Sequence, residues 1–249
     1  MSEKKSSDYS ENIPNELRVS QNPLIDANER INFMQGVFFL YTITFLPSIG
    51  LLKIWKVDPE NNYFTNNYFI AIIISIITFL VLSFTLSYSK IAARKKPVNY
   101  ILFAACVIFL AITNRALFDY FGKFVVISLL YLLFNAIGLL IYSYITNNEF
   151  KMQYALGCGM GLVLMPFTYY LYWYRQEIVG IMIGLVAILL ISLLIVYTTQ
   201  MMIYNKSFMM LPDDFIMGAM RLITIIPLIP DMFTSNQATP HEDNEATAV

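Results

Sequence analysis

From about residue 31 to residue 233 the chain alternates long apolar stretches with short polar ones. The polar breaks set off apolar stretches at 31–52, 68–89, 98–118, 124–145, 152–172, 178–203 and 213–233. Long runs, for example Tyr68 to Ser89 and Phe124 to Ile145, carry no charged residue at all. Each stretch exceeds the roughly 18 residues that read as a membrane span, and at about 1.5 Å per residue each can cross a ~30 Å hydrocarbon core. Lipid offers the backbone no hydrogen-bond partner, so these stretches are predicted as helices. Short connections make neighbours antiparallel, and nothing reads as a strand or a soluble domain. The predicted fold is all-α: a polytopic membrane protein with a seven-transmembrane helix bundle over residues 31–233. Pro227 and Pro230 interrupt the last stretch, so six spans plus a re-entrant segment is the alternative.

The polar flanks, residues 1–30 and 234–249, lack the apolar content to fold alone and are expected to be disordered tails. The first tail has no early apolar run of the kind a cleavable signal needs, so the first span is expected to direct insertion. Lys and Arg orient the bundle. With the N-terminus in the cytosol, ten basic residues fall on that side: Lys4, Lys5, Arg18, Arg30, Lys90, Arg94, Lys95, Lys96, Lys151 and Lys206. Five face the other way: Lys53, Lys56, Arg115, Lys123 and Arg175.

Composition narrows the chemistry. Of 249 residues 57% are hydrophobic and 13% charged, and the deficit of charge lies in the apolar stretches. A formal net charge of −1 offers no basic field for nucleic acid. Cys106 and Cys158 both sit in apolar stretches and read as small packing residues rather than a disulfide. The single histidine, His241, lies in the C-terminal tail, so a His-dependent triad or a histidine zinc site cannot be built. Asp58, Glu60, Asp119, Glu149 and Glu177 fall in loops or at span ends, and no acid pair meets at mid-depth. No catalytic residue, cofactor or metal ligand is expected, and the chain is not expected to be an enzyme.

Several polar or small residues inside the spans remain candidates. The glycines of "GCGMG", residues 157–161, suit close helix approach in lipid better than a phosphate loop, since no strand precedes them and no Lys-Ser/Thr follows. Pro166 and Pro47 are expected to kink their helices. Asn135, near the middle of the fourth span, either bonds a neighbouring helix or lines a water path. Tyr63, Tyr68, Tyr88, Tyr172, Trp173 and Tyr174 form an interfacial belt. The triplet Asn205-Lys206-Ser207 matches a glycosylation acceptor but falls on the side assigned to the cytosol. Asp213 and Asp214 suit the positive end of the last helix as caps. Arg221 lies eight residues past Asp213, about 12 Å into that helix. A charge at such depth costs at least ~2.5 kcal/mol and marks a functional candidate. It either snorkels toward the cytosol or meets Asp214, seven residues back on the same face.

Five segments in order resemble the transmembrane BAX inhibitor motif family, also called Lifeguard. "ERINFMQGVF", residues 29–38, is similar to its Arg-x-x-Phe entry to the first span. "RKKPVNYIL", residues 94–102, resembles its basic-Pro-x-Asn opening of the third. "YITNNEF", residues 144–150, is similar to its Thr-Lys-x-Asp-Phe turn, with Asn147 for Lys and Glu149 for Asp. "VYTTQMMI" resembles its Tyr-Asp-Thr-Gln segment, and "PDDFIMGAMRLITII", residues 212–226, the start of its last helix.

The resemblance implies a seven-helix bundle of endoplasmic reticulum or Golgi membranes, associated with restraint of cell death and calcium leak from stores. Its partners would be membrane lipid, calcium ion and other membrane proteins of those pathways. The family's leak is attributed to two aspartates in the last two helices that share a proton. Close carboxylates cannot both ionise cheaply, and calcium seeks several hard oxygens. Here the chain departs from the family's pattern. Thr198 takes the place of the first aspartate and Ile225 that of the second, and Leu110 stands where a third-span glutamate is common. What remains is a neutral cluster of Thr198, Thr199 and Gln200, with Arg221 one turn before Ile225 on its face. Three readings follow: a cation leak lined by Thr198, Gln200 and Asn135, a non-conducting scaffold that binds other membrane proteins, and an anion path using Arg221.

Overall fold

A computed structural model of the chain describes residues 27–54, 67–146, 150–175, 178–204 and 210–224. Every regular element among these residues is a helix: α1 Ala27–Ile43, α2 Phe45–Ile54, α3 Asn67–Tyr88, α4 Lys90–Arg94, α5 Val98–Phe121, α6 Lys123–Ile145, α7 Met152–Trp173, α8 Ile178–Tyr204 and α9 Phe215–Thr224. Five segments are long and apolar enough to cross a membrane: Asn28–Lys53, Val98–Asp119, Lys123–Ile145, Met152–Trp173 and Ile178–Tyr204. The apolar stretches Ile72–Tyr88 and Phe215–Thr224 are shorter, so by length and composition the count among the described residues is five rather than the expected seven. The tails expected over 1–30 and 234–249 lie outside the described residues but for Ala27 to Arg30, which form the first turn of α1. Glu29 in that turn complements the positive helix end.

The first span breaks at Thr44, between α1 and α2, three residues before Pro47. Proline clashes with the carbonyl four residues back, so the strain of Pro47 falls on Ile43 and the break precedes the ring. The Thr44 hydroxyl donates to the Tyr41 carbonyl at 2.6 Å and the Thr42 hydroxyl to the Phe38 carbonyl at 2.7 Å, which satisfies two oxygens near the break. In α7 the helix runs on through Pro166.

Helix α9 is the innermost. Every residue from Ile216 to Leu222 is buried, and the helix packs against α1, α3, α5 and α8. Contact with α1 is very close. A β-carbon on Gly218 would lie 2.6 Å from Val37, and one on Gly36 would lie 2.4 Å from the ring of Phe215. Phe33, Met34, Val37, Phe38 and Tyr41 of α1 fill the core beside it. Helices α6 and α7 also pack backbone to backbone. A β-carbon on Gly138 would stand 2.5 Å from the Cys158 carbonyl oxygen and 2.7 Å from the Gly159 α-carbon. In the glycine motif only the middle residue performs this packing, since Gly157 and Gly161 meet nothing within 4 Å. The outward faces of the long helices are apolar, including Ile70, Ile101, Ile183 and Val179. Such a surface suits lipid.

Candidate functional site

The end of the bundle where α3, α4, α8 and α9 come together holds most of the candidates. Asp214 precedes α9 and is 3% exposed. Its carboxylate accepts two hydrogen bonds from Arg94, from Nε at 2.9 Å and Nη2 at 2.7 Å, and one from the Leu211 backbone N–H at 2.9 Å. A planar guanidinium matches a carboxylate in just this two-pronged way, and the fork is among the stronger charge-assisted bonds. The hydrogen bond from Asp214 raises the Arg94 pKa above its ordinary value, with partial burial opposing and the opposite charge assisting. The fork thus ties the α4–α5 connection to the turn that starts α9.

This corrects two expectations. Asp214 closes on Arg94 of another connection rather than on Arg221 of its own helix. Nor does its side chain cap α9 in the usual way, since the bond goes back to Leu211 instead of forward to the first helical N–H groups. Asp213 is exposed. The signal that could have found the pair was topological: Arg94 and Asp214 are opposite charges in connections assigned to one side of the membrane.

Arg221 is 7% exposed, and its Nε donates to the Ser87 carbonyl at 3.2 Å. Its guanidinium lies 5.8 Å from the centre of the Tyr88 ring, a cation–π contact. The cation is therefore stabilised by a carbonyl and an aromatic face at the end of α3. Ser87 Oγ is buried with no hydrogen-bond partner among the described residues.

Thr198 and Thr199 are buried, 5% and 1% exposed, and Gln200 is half-buried. The Thr199 hydroxyl donates to the Ile195 carbonyl at 2.8 Å, its own helix four residues back. Leu110 is a half-buried residue of α5. Ile225, Asn205-Lys206-Ser207, Asn147 and Glu149 lie outside the described residues.

Asn135 sits elsewhere, between α6, α7 and α8. The Ser192 hydroxyl donates to its Oδ1 at 3.0 Å, and both side chains are fully buried. Its Nδ2 has no hydrogen-bond partner among the described residues. The structure thus joins Asn135 to a neighbouring helix. A further polar cluster, with no prior signal beyond one arginine in a span, lies toward the other end. Arg115 pairs with Asp119 one turn on, the Asn114 amide donates to the Ser48 hydroxyl at 3.0 Å, and Ser75 and Thr113 share a hydrogen bond of 3.1 Å. Cys106 and Cys158 are free thiols.

Comparison with known proteins places these residues in a lineage. Protein lifeguard 3 of Mus musculus is 25% identical over 218 residues, covering 82% of this chain and 68% of that protein. Protein lifeguard 3 of Homo sapiens is 23% identical over 217 residues, covering 81% of this chain and 66% of that protein. These two matches support membership of the Lifeguard family. The chain spans about two thirds of the length of these relatives. No family profile and no solved structure matches it. The apolar helices and the similarity to Lifeguard proteins together support a multi-pass integral membrane protein.

Proposed function

We propose that this Lifeguard-family chain acts in endoplasmic reticulum or Golgi membranes, in restraint of cell death and in calcium homeostasis, as a seven-span bundle that conducts calcium weakly or not at all. It performs no catalysis in this reading. The apolar stretches Ile72–Tyr88 and Phe215–Thr224 would complete the seven. The ten-to-five division of basic residues favours a cytosolic N-terminus.

One observation carries the weak conduction: the buried charge on the innermost helix is a cation, Arg221. Thr198 holds the place of an acid on the packed neighbour α8, and the buried carboxylate that remains, Asp214, is already forked onto Arg94. Hydroxyl oxygens can touch calcium but bring no compensating charge. A calcium ion beside the Arg221 guanidinium would meet like charge, and Thr198 and Ile225 supply no acid to offset it.

Calcium flux from the full chain in liposomes tests this. The expected result is little flux and no steep response between about pH 5 and 8, because Thr198 and Ile225 cannot share a proton. Thr198→Asp with Ile225→Asp should recover flux weakly, and adding Arg221→Asn should recover it better. Robust, pH-dependent flux from the unaltered chain would return it to the conventional leak. Silence of all three forms would favour the non-conducting scaffold.

A further inference from the structure

The connection between α3 and α5 carries Lys90, Arg94, Lys95 and Lys96. Arg94 is spent on Asp214. Lys95 and Lys96 are exposed, and neither has an ion-pair partner among the described residues. Asp213, the other acid of the facing turn, is exposed as well. Directly after the two lysines α5 begins, and its first three turns present an apolar face outward: Val98 is 39% exposed, Ile101 65% and Ile108 54%, with Tyr100 at 52% beside them. Val98, Ile101 and Ile108 share one side of the helix and span about 15 Å along its axis, the depth of one leaflet of a ~30 Å core. A cationic head above an apolar strip of leaflet length complements one amphiphile, a lipid with an anionic headgroup.

We propose that Lys95 and Lys96 bind the phosphate of an anionic phospholipid whose acyl chain lies along Val98, Ile101 and Ile108. The charge is complementary, and the positive end of α5 adds to it. A zwitterionic lipid would fit the strip equally but would place its own cation against the lysines. The site therefore selects by headgroup charge, and it sits on the connection that Arg94 ties to α9. The ligand is held in place of bulk lipid by two lysines, each worth about a fivefold preference near an anionic surface, so roughly twenty-five-fold together.

The test is native mass spectrometry of the full chain in detergent, titrated with equal amounts of phosphatidylglycerol and phosphatidylcholine. The unaltered chain should retain the anionic lipid in roughly twenty-five-fold preference, falling toward parity at high salt. Lys95→Gln with Lys96→Gln should abolish the preference, and Lys95→Arg with Lys96→Arg should keep it. Lys53→Gln with Lys151→Gln removes the same charge from other exposed lysines and should also keep it. An unchanged ratio in the first pair, or an equal loss in the control pair, would overturn the proposal. So would competition by glycerol 3-phosphate as effective as the lipid, which would make the ligand a soluble anion. Were the glutamine pair to unfold, insensitivity of the unaltered chain's preference to salt would overturn it instead.

Discussion

At the scale of single residues, the Arg94–Asp214 fork is unequal. The Arg94 side chain is 36% exposed and the Asp214 side chain 2%. An arginine that loses its partner can turn to water, whereas a carboxylate that loses its partner stays buried. Arg94→Leu should therefore destabilise more, by about 3 kcal/mol, than Asp214→Asn, at about 1 to 2 kcal/mol. The pair Arg94→Leu with Asp214→Leu should recover part of the loss. Thermal unfolding of the three variants in detergent checks the order, and a reversed order would mean that Asp214 reaches water when freed. The raised pKa of Arg94 has a simple consequence. Stability from a raised group is present below its unfolded pKa and lost only as pH rises through the folded one. Arginine titrates above about pH 12, so this partner contributes no pH dependence in the physiological range.

At the scale of helices, the α6–α7 contact makes the sharpest claim. Gly138→Ala drives a β-carbon into a backbone carbonyl, which cannot move aside as a side chain can. Gly159→Ala drives one to 2.5 Å from Asn135 Oδ1, against the Asn135–Ser192 hydrogen bond. Each should cost about 1 to 3 kcal/mol through forced separation of the helices. Gly157→Ala and Gly161→Ala face open space and should fall within about 0.5 kcal/mol of the parent or gain slightly from helix propensity. Equal losses at all four positions would show that backbone freedom, not packing, is what the motif supplies. The motif pointed to close approach from its glycines alone. Which of the three touched a neighbour depended on the rotation of α7, which short-range pattern does not record.

At the scale of the molecule, the odd number of proposed spans puts the two chain ends on opposite sides of the membrane. A tag at the N-terminus should be protected from lumenal reagents and one at the C-terminus accessible to them. Protection of both would mean that the stretch after Asp214 re-enters, and glycan on Asn205 would invert the orientation of that connection. The tags read orientation through the basic asymmetry and not through any contact, so the test is independent of the site.

The sequence by itself determined what its solvent demands. Uncharged runs such as Phe124 to Ile145 can only be helices in lipid, and their bounds follow from where polar residues begin, so α6 and α7 were legible to within a residue or two. It also carried the resemblance to the Lifeguard family, in "RKKPVNYIL" and "PDDFIMGAMRLITII", and it displayed Thr198 where that family's pattern has an acid. Only the tertiary structure decided who meets whom. Arg94 and Asp214 are 120 residues apart, and no local rule prefers that distant arginine to the one a turn or two along the same helix. The choice came from packing. Gly36 and Gly218 bring α1 and α9 together, α9 settles at the centre, the turn before it reaches Arg94 at the end of α4, and Arg221 meets the Ser87 carbonyl and the Tyr88 ring. A charge in a low-dielectric interior takes the partner that the backbone puts within 3 Å, because at that range the bond outweighs any preference written in sequence spacing.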